Sequence, residues 1–527
     1  MNLFFLKRLG LAGALLLSAT ACEKKLLDQV NPNLPTTESF FKTSNDAVKA
    51  STAVYAGLQG LGMYRRWLNF AFDLRDDIGF SQSPWGELAD FTHFVQTNYD
   101  FEVSRDIYRD HYRTIYRANQ VIAKVPGIAG MDATLQKRVV AEARFLRALS
   151  YFNLVSLYGN VPLVLTPPTD LNVVPPQAKE ADVWNQVYSD LLAAQPDLPA
   201  TYTGGDVGRA TKGAATTLLG KAYMQNKRWA DAQTQFAQVI GAGTYRLVDA
   251  YTDNFRHTSE NNAESIFEVQ FSDEKKGGND AGGGPDATSS QGGQRSQFWG
   301  VPGFGFNDGE IRPWLVREFL KEGTAAGARD PRLAATAFYN RFDRTQFPSP
   351  LPPDDDRGVY GTGNFETRYA NDARNLGRVF WRKYQTDYYR KFEDFDSPIN
   401  QRVMRFADVL LLQAEALNEL GQTAAAVPLI NRVRQRPSVG LAPLAAAAFT
   451  QASLRAQLLH ERTTELAGEG VRWFDLQRSG LLDTPAGVDQ LKARDPDFNT
   501  FVVGKSRLLP LPQSEVDLLK LAQNPNY

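Results

Sequence analysis

The 527 residues carry 58 lysines and arginines against 59 aspartates and glutamates, a net charge of −1 that argues against nucleic acid or an anionic membrane surface as an electrostatic partner. With 43% hydrophobic and 22% charged residues the chain is globular and long enough for a sizeable core. Its one cysteine, Cys22, leaves no internal disulfide and no cysteine-based metal site.

Residues 1–21 place Lys7 and Arg8 ahead of an apolar run over 9–17, a signal-peptide pattern too short to span a bilayer comfortably. Ala19, Thr20 and Ala21 directly before Cys22 resemble the lipobox of bacterial lipoproteins, which implies a lipid on Cys22 and a soluble but tethered mature chain. Residues 22–44 then read as an extended tether. Thr37 or Ser39 is expected to cap a helix over 45–61. Further helices are expected over 104–125, with the ladder Tyr108, Tyr112 and Tyr116, and over 136–158, closed by Gly159. The prolines of 161–176 predict an extended crossing, and helix resumes over 181–194.

Residues 208–240 hold two helical patterns around a short polar break. Leu219, Gly220, Tyr223, Ala232, Phe236 and Val239 fall where antiparallel helices touch, in the register of a tetratricopeptide pair. The pattern returns over 405–436, with Leu412, Ala416, Ala425 and Leu429 in corresponding places. Between the two lie an alternating strand-like segment, 265–271, and a long stretch of loops broken only by 313–321 and 331–339. Helices over 403–419, 423–435 and 454–469 precede a proline-punctuated tail. The fold expected is mostly α, with tetratricopeptide-like helix pairs in a solenoid-type scaffold, a large loop-rich insertion and minor β. Its parts are a signal peptide (1–21), a lipid-anchored tether (22–44), an N-terminal helical scaffold (45–271), a loop-rich ligand-binding portion (272–402) and a C-terminal helical part (403–527).

Catalysis finds little support. His93, His111, His257 and His460 are scattered, with no HExxH spacing and no GxSxG elbow, and Gly208 to Gly213 lacks the following Lys-Ser/Thr of a phosphate loop. No cofactor is expected. A calcium ion on Asp354, Asp355 and Asp356 lacks the alternating spacing of a known loop type. Capture of a sugar or peptide needs flat rings for an apolar face and planar polar groups for hydroxyls, carried on loops over a rigid frame. Two stretches meet that description. Residues 74–94 offer Trp85 between turn residues, with Asp76, Asp77 and Gln82; residues 294–307 offer Phe298, Trp299, Phe304, Phe306 and Asn307 among glycines. Trp85 and Trp299 are the preferred platforms, while Trp314, Trp184, Trp229 and Trp473 belong to the packed frame. The glycine-rich run 277–293 is either a flap beside the site or a plain surface loop.

Several blocks together resemble the SusD/RagB outer-membrane lipoproteins of the Bacteroidetes: AEARFLRALSYFNLVSLYGNVPL (141–163), GRATKGAA (208–215), RFADVLLLQAEALNELG (405–421), ERTTELAGEGVRWFDLQRSG (461–480), IRPWLVREF with DPRL, and the terminal QNPNY. The resemblance implies a surface-exposed, lipid-anchored protein that caps a SusC-like TonB-dependent transporter. It captures oligosaccharide or polysaccharide, with peptide as an alternative ligand, and performs no chemistry. A tetratricopeptide scaffold for protein partners and a surface glycosidase are the rival readings. The charges of the recurring blocks, Glu142, Arg144, Arg147, Glu461, Arg462 and Glu465, read as architecture. Ligand contacts are not carried by those blocks, so the site residues rest on loop context alone.

Overall fold

The computed structural model describes residues 40–168, 170, 173, 175–274, 291–347, 349–351 and 358–527. Cys22, the signal peptide, most of the tether, most of the glycine-rich run and Asp354 to Asp356 lie outside the described residues.

The longer helices are α1 (Ser44–Gly57), α2 (Gly86–His93), α3 (Glu102–Lys124), α4 (Ala133–Tyr158), α5 (Glu180–Ala194), α6 (Lys212–Gln225), α7 (Trp229–Gly241), α8 (Phe406–Glu419), α9 (Thr423–Arg434), α10 (Gln451–Leu466), α11 (Arg472–Ser479) and α12 (Pro485–Lys492). Their ends follow local chemistry. Thr43 and Asp46 exchange hydrogen bonds through backbone and side chain, a capping box that starts α1. Asp132 Oδ1 accepts from Leu135 N at 2.8 Å to start α4, and Gly159, at φ +67°, turns the chain out of it.

Packing follows chain order: α3 on α4, α4 on α5, α5 on α6, α6 on α7. The next neighbour of α7 is α8, although the loop-rich insertion separates them in sequence, and α8 then packs on α9. The helical ladder therefore continues across the insertion as a solenoid would. Within α6 and α7 the expected contacts are present. Ala232 and Phe236 are buried, and a Cβ on Gly220 would come within 2.6 Å of the Phe236 ring, so only glycine permits this approach.

The second pair differs in register from the sequence reading. Ala425 is exposed and Leu429 only half-buried, whereas Ala426, Ile430 and Val433 are fully buried. Equal turns separate the helices of the two pairs, so Gly220, Ala232 and Phe236 correspond to Ala414, Ala426 and Ile430. The alanine run at 424–426 hides this offset in sequence.

Among the described residues eight short strands accompany the helices: β1 (Gly79–Phe80), β2 (Val161–Pro162), β3 (Gln177–Ala178), β4 (Ser265–Val269), β5 (Glu310–Ile311), β6 (Ala337–Phe338), β7 (Phe380–Trp381) and β8 (Gln401–Arg405). β4 pairs antiparallel with β8, so Ser265 faces Arg405 and the two ends of the insertion are clamped together. Residues 403–405 are thus strand, and the following helix begins at Phe406. A second sheet, in the order β1-β5-β7-β6, fastens the 79–80 segment to the insertion.

Beneath the β4–β8 pair lies a fully buried ionic cluster. The Arg405 guanidinium donates to Glu264, Glu465 and Glu469 at 2.7–2.9 Å, Arg436 donates to Glu264 and Glu465, and Arg332 to Glu465. Glu142, Arg147, Glu461 and Arg462 are likewise buried in internal ion pairs or hydrogen bonds. These charges hold the frame together.

Candidate functional site

The candidate segment 74–85 is fixed by its own acids. Asp76 Oδ1 accepts from the amides of Ile78 and Gly79 at 2.9 and 2.8 Å, closing a tight turn. Burial, with Asp73 and Asp77 close by, pushes the Asp76 carboxyl well above the ordinary carboxylate range. Asp77 receives both arms of Arg472 (2.7 and 2.8 Å) and one of Arg494 (3.1 Å). Burial alone would raise its pKa, but the two guanidiniums hold it below the usual value. Both acids are buried, Asp76 at 1% and Asp77 at 0% exposure, so neither presents itself to a ligand as the sequence reading expected.

Trp299 is also displaced from its expected role. It is 0% exposed, packed against Phe70 and Trp381, with Arg295 over its ring. Gly309 lies so close that a Cβ there would sit 2.8 Å from the indole. The turn residues that suggested exposure instead let the backbone close over the ring. Phe298 is 3% exposed and serves as a floor.

What reaches the surface is a strip of rings mounted on that floor. Trp85 is half-buried; its backbone amide donates to Ser83 Oγ and its Nε1 to Glu87 Oε2 at 3.0 Å, which fixes its orientation. It meets Trp67 edge-on at 5.5 Å, Trp67 meets Phe298 at 5.4 Å, and Phe298 meets Phe306 at 5.4 Å. Phe306 is 49% exposed and touches the half-buried Phe395 at 5.7 Å. The Arg66 guanidinium lies over Trp67 and Phe298, 4.8 and 4.4 Å from their centroids, and donates to Gln294 Oε1. Trp85, Phe306 and Phe395 are therefore linked through two buried rings and one buried cation.

The neighbouring loop extends the aromatic surface. Phe304, half-buried, stacks on Tyr360 at 4.4 Å with the rings 10° from parallel, and its carbonyl accepts from Glu393 N at 3.0 Å. Phe392 and Tyr389 are exposed, the latter packed on His257. Gln82 is exposed beside Trp85, and Asn307 follows Phe306 in a left-handed conformation, φ +59°. Glu393 is buried under this surface. Tyr360 Oη and Thr386 N both donate to its Oε1 at 2.6 Å, and burial pushes its pKa up to about 8.

Of the predicted residues, the structure brings Trp85, Phe298 and Phe306 into one contact chain, with Phe304 and Asn307 on the same loop as Phe306, and removes Trp299, Asp76 and Asp77 to the interior. Sequence reasoning missed Phe395, Phe392, Tyr389, Trp67 and Arg66. The run YYRKFEDF over 388–395 carries the signal that would have found three of them: rings alternating with charges inside a loop.

Elsewhere, a cleft of about 850 Å³ is lined by Trp229, Trp314 and many charges. Many of its charges are joined in ion pairs such as Arg478–Glu415 and Arg455–Glu419, and His460 Nδ1 lies 2.9 Å from Glu318. Glu322, His460 and Glu461 stand close enough to share a cation, but Arg434 already donates to both glutamates there.

Comparison with known proteins agrees with this architecture. Residues 263–527 match the family model described as the SusD family, and residues 27–224 match one described as starch-binding, associating with outer membrane. SusD-like protein P25 of Formosa agariphila is 28% identical over 526 residues, covering 96% of this chain and 95% of that one. A SusD superfamily protein of Bacteroides vulgatus superposes with a TM-score of 0.78 at 24% identity, over 93% of this chain and 100% of its own. A laminarin-binding SusD-like protein does so with a TM-score of 0.72 at 25% identity, over 92% and 100%.

Proposed function

Because the chain belongs to the SusD family, we propose that it is a lipid-anchored lipoprotein of the outer-membrane surface that captures a soluble glycan on the Trp85–Phe306–Phe395 strip. The observation that carries this reading is the strip itself: half-exposed rings locked edge-to-edge over a buried aromatic floor, on loops that the helical frame holds still. Rings fixed in advance lose little freedom on binding, and each offers a flat apolar face to a pyranose. The laminarin-binding relative and the starch-binding family description support a glycan as the ligand. Capture is non-covalent, and the glycan passes unchanged to a SusC-like TonB-dependent transporter. Lipid on Cys22 keeps the protein beside that partner.

The test uses the chain from Glu23 onward, with laminarin, starch and a peptide panel, in affinity gels and calorimetry. Phe306→Ala and Trp85→Ala are each expected to weaken binding about tenfold, ~1.4 kcal/mol. Full affinity in both variants would place the glycan elsewhere. New reducing ends on prolonged incubation would overturn the non-enzymatic reading, and binding of peptides alone would overturn the glycan.

A further inference from the structure

The outer face of α3 carries a feature that the aromatic strip does not use. Tyr108, Tyr112 and Tyr116 recur every fourth residue, so their positions step about 6 Å apart along one helix face. Arg109, Arg113 and Arg117 recur beside them. These side chains, together with Pro162 and Glu515, line a groove of about 580 Å³.

The tyrosines grade from floor to rim. Tyr108 is buried, and its ring packs on that of Tyr112 at 4.8 Å. Tyr112 is held by a hydrogen bond from its hydroxyl to the Pro162 carbonyl, 2.7 Å. Tyr116 is 47% exposed. The Tyr108 hydroxyl is buried in the groove lining, with the Tyr112 hydroxyl as its hydrogen-bond neighbour.

The arginines are unevenly compensated. Four of them, Arg105, Arg109, Arg113 and Arg117, face two acids, Asp106 and Asp110, on the same stretch of helix. Arg109 is held by both acids at 2.7 and 3.0 Å, whereas Arg113, with a 61% exposed side chain, shares Asp110 Oδ1 with it at 3.2 Å. Arg117 donates to a neutral group, the Ala53 carbonyl, at 3.1 Å. Partial desolvation against the groove wall and the charge of Arg113 lower the pKa of the surface residue Arg117, which marks local cation crowding. Among the described residues Glu515 is the one acid lining the groove; burial and Asp100 raise its pKa.

A neutral sugar can accept hydrogen bonds from these guanidiniums but leaves their charge unbalanced, whereas a carboxylate or sulfate ester relieves it with forked, charge-assisted hydrogen bonds. We propose that this groove binds an acidic oligosaccharide, its rings against Tyr112 and Tyr116 and its anionic groups on Arg113 and Arg117. The groove shares no residue with the Trp85–Phe306–Phe395 strip, so the two sites stand or fall separately.

The experiment is calorimetry on the chain from Glu23 onward with oligogalacturonate, a carrageenan oligosaccharide and, as the neutral control, laminarihexaose. At least one acidic probe is expected to bind, and which of them does so distinguishes carboxylate from sulfate recognition. Arg113→Ala/Arg117→Ala should weaken that binding at least tenfold, Tyr116→Ala severalfold, and Phe306→Ala not at all. All these residues are exposed, so the variants keep the wild-type circular dichroism. Silence of both acidic probes, or binding indifferent to the double arginine variant, would overturn the proposal. So would arginine-dependent binding of anionic phospholipid vesicles with neither saccharide bound, since that would make the groove a membrane contact.

Discussion

Raising the pH should loosen the loop surface through Glu393, and replacing that residue with glutamine should remove the effect. The carboxyl is 6% exposed, directly beneath the Phe304–Tyr360 stack, and its pKa of about 8 stands against 4.5 for an unburied glutamate. A pKa raised in the folded state means that folded protein holds the proton more tightly. The associated stability is complete below pH 4.5 and is lost as the pH rises through 8. The difference of 3.5 units corresponds to about 5 kcal/mol at most. Local opening of the loop at Glu393, rather than global unfolding, will relieve part of it. Glu260 has a pKa of about 8 and Asp495 about 7, and both act in the same direction, so the wild-type slope is a sum. The assay is thermal denaturation of wild type and Glu393→Gln at half-unit steps from pH 5 to 9. The variant should lose less stability across that range, by about 2 kcal/mol or more, and its neutral amide should keep the loop docked at pH 9. Parallel profiles for the two proteins would refute the argument, because they would mean that Glu393 ionises as freely in the folded chain as in the unfolded one.

Three further outcomes are expected. Arg405→Met removes the one cation common to Glu264, Glu465 and Glu469, leaving Arg436 to bridge only the first two, and should cost about 3–5 kcal/mol in urea denaturation; an unchanged midpoint would refute the cluster's role. Trp299→Ala should lower stability by about 3–5 kcal/mol with little effect on glycan affinity in whatever fraction remains folded, whereas Trp85→Ala should do the reverse; equal behaviour of the two would contradict their different burial. Gly62→Ala drives a Cβ to 2.0 Å from the Asp106 carbonyl oxygen and should destabilise by about 1–3 kcal/mol, checked by melting temperature against wild type.

The frame is legible in the sequence where contact demands a residue type at a fixed spacing. Gly220 and Ala232 mark their crossing because larger residues would hold the helices apart, and Asp132 and Gly159 mark the ends of α4 because they solve backbone problems. Ala425 shows the limit: in a run of three alanines, composition carries no phase, and the register follows from the turn length instead. The site is legible only as a pair of aromatic loops. Whether a ring on such a loop points out or in depends on what lies across the fold. Trp299 turns inward because Phe70 and Trp381 make its pocket, and Asp77 is neutralised by an arginine 395 positions away. Phe395 becomes part of the strip through a neighbour from another loop, Phe306.

The clasp of Asp77 by Arg472 and Arg494 has a consequence for how the protein comes of age. The turn that carries Trp85 toward the surface holds an acid whose partners follow it by 395 and 417 positions, and Arg75 likewise waits for the Ser506 carbonyl. Until those residues arrive, this segment holds a bare carboxylate and a bare guanidinium, which water claims in preference to an apolar interior. A chain cut short before residue 472 lacks the clamp that settles the first wall of the strip. The set of the Trp85 segment is thereby a report on whether residues 472–506 have joined the fold.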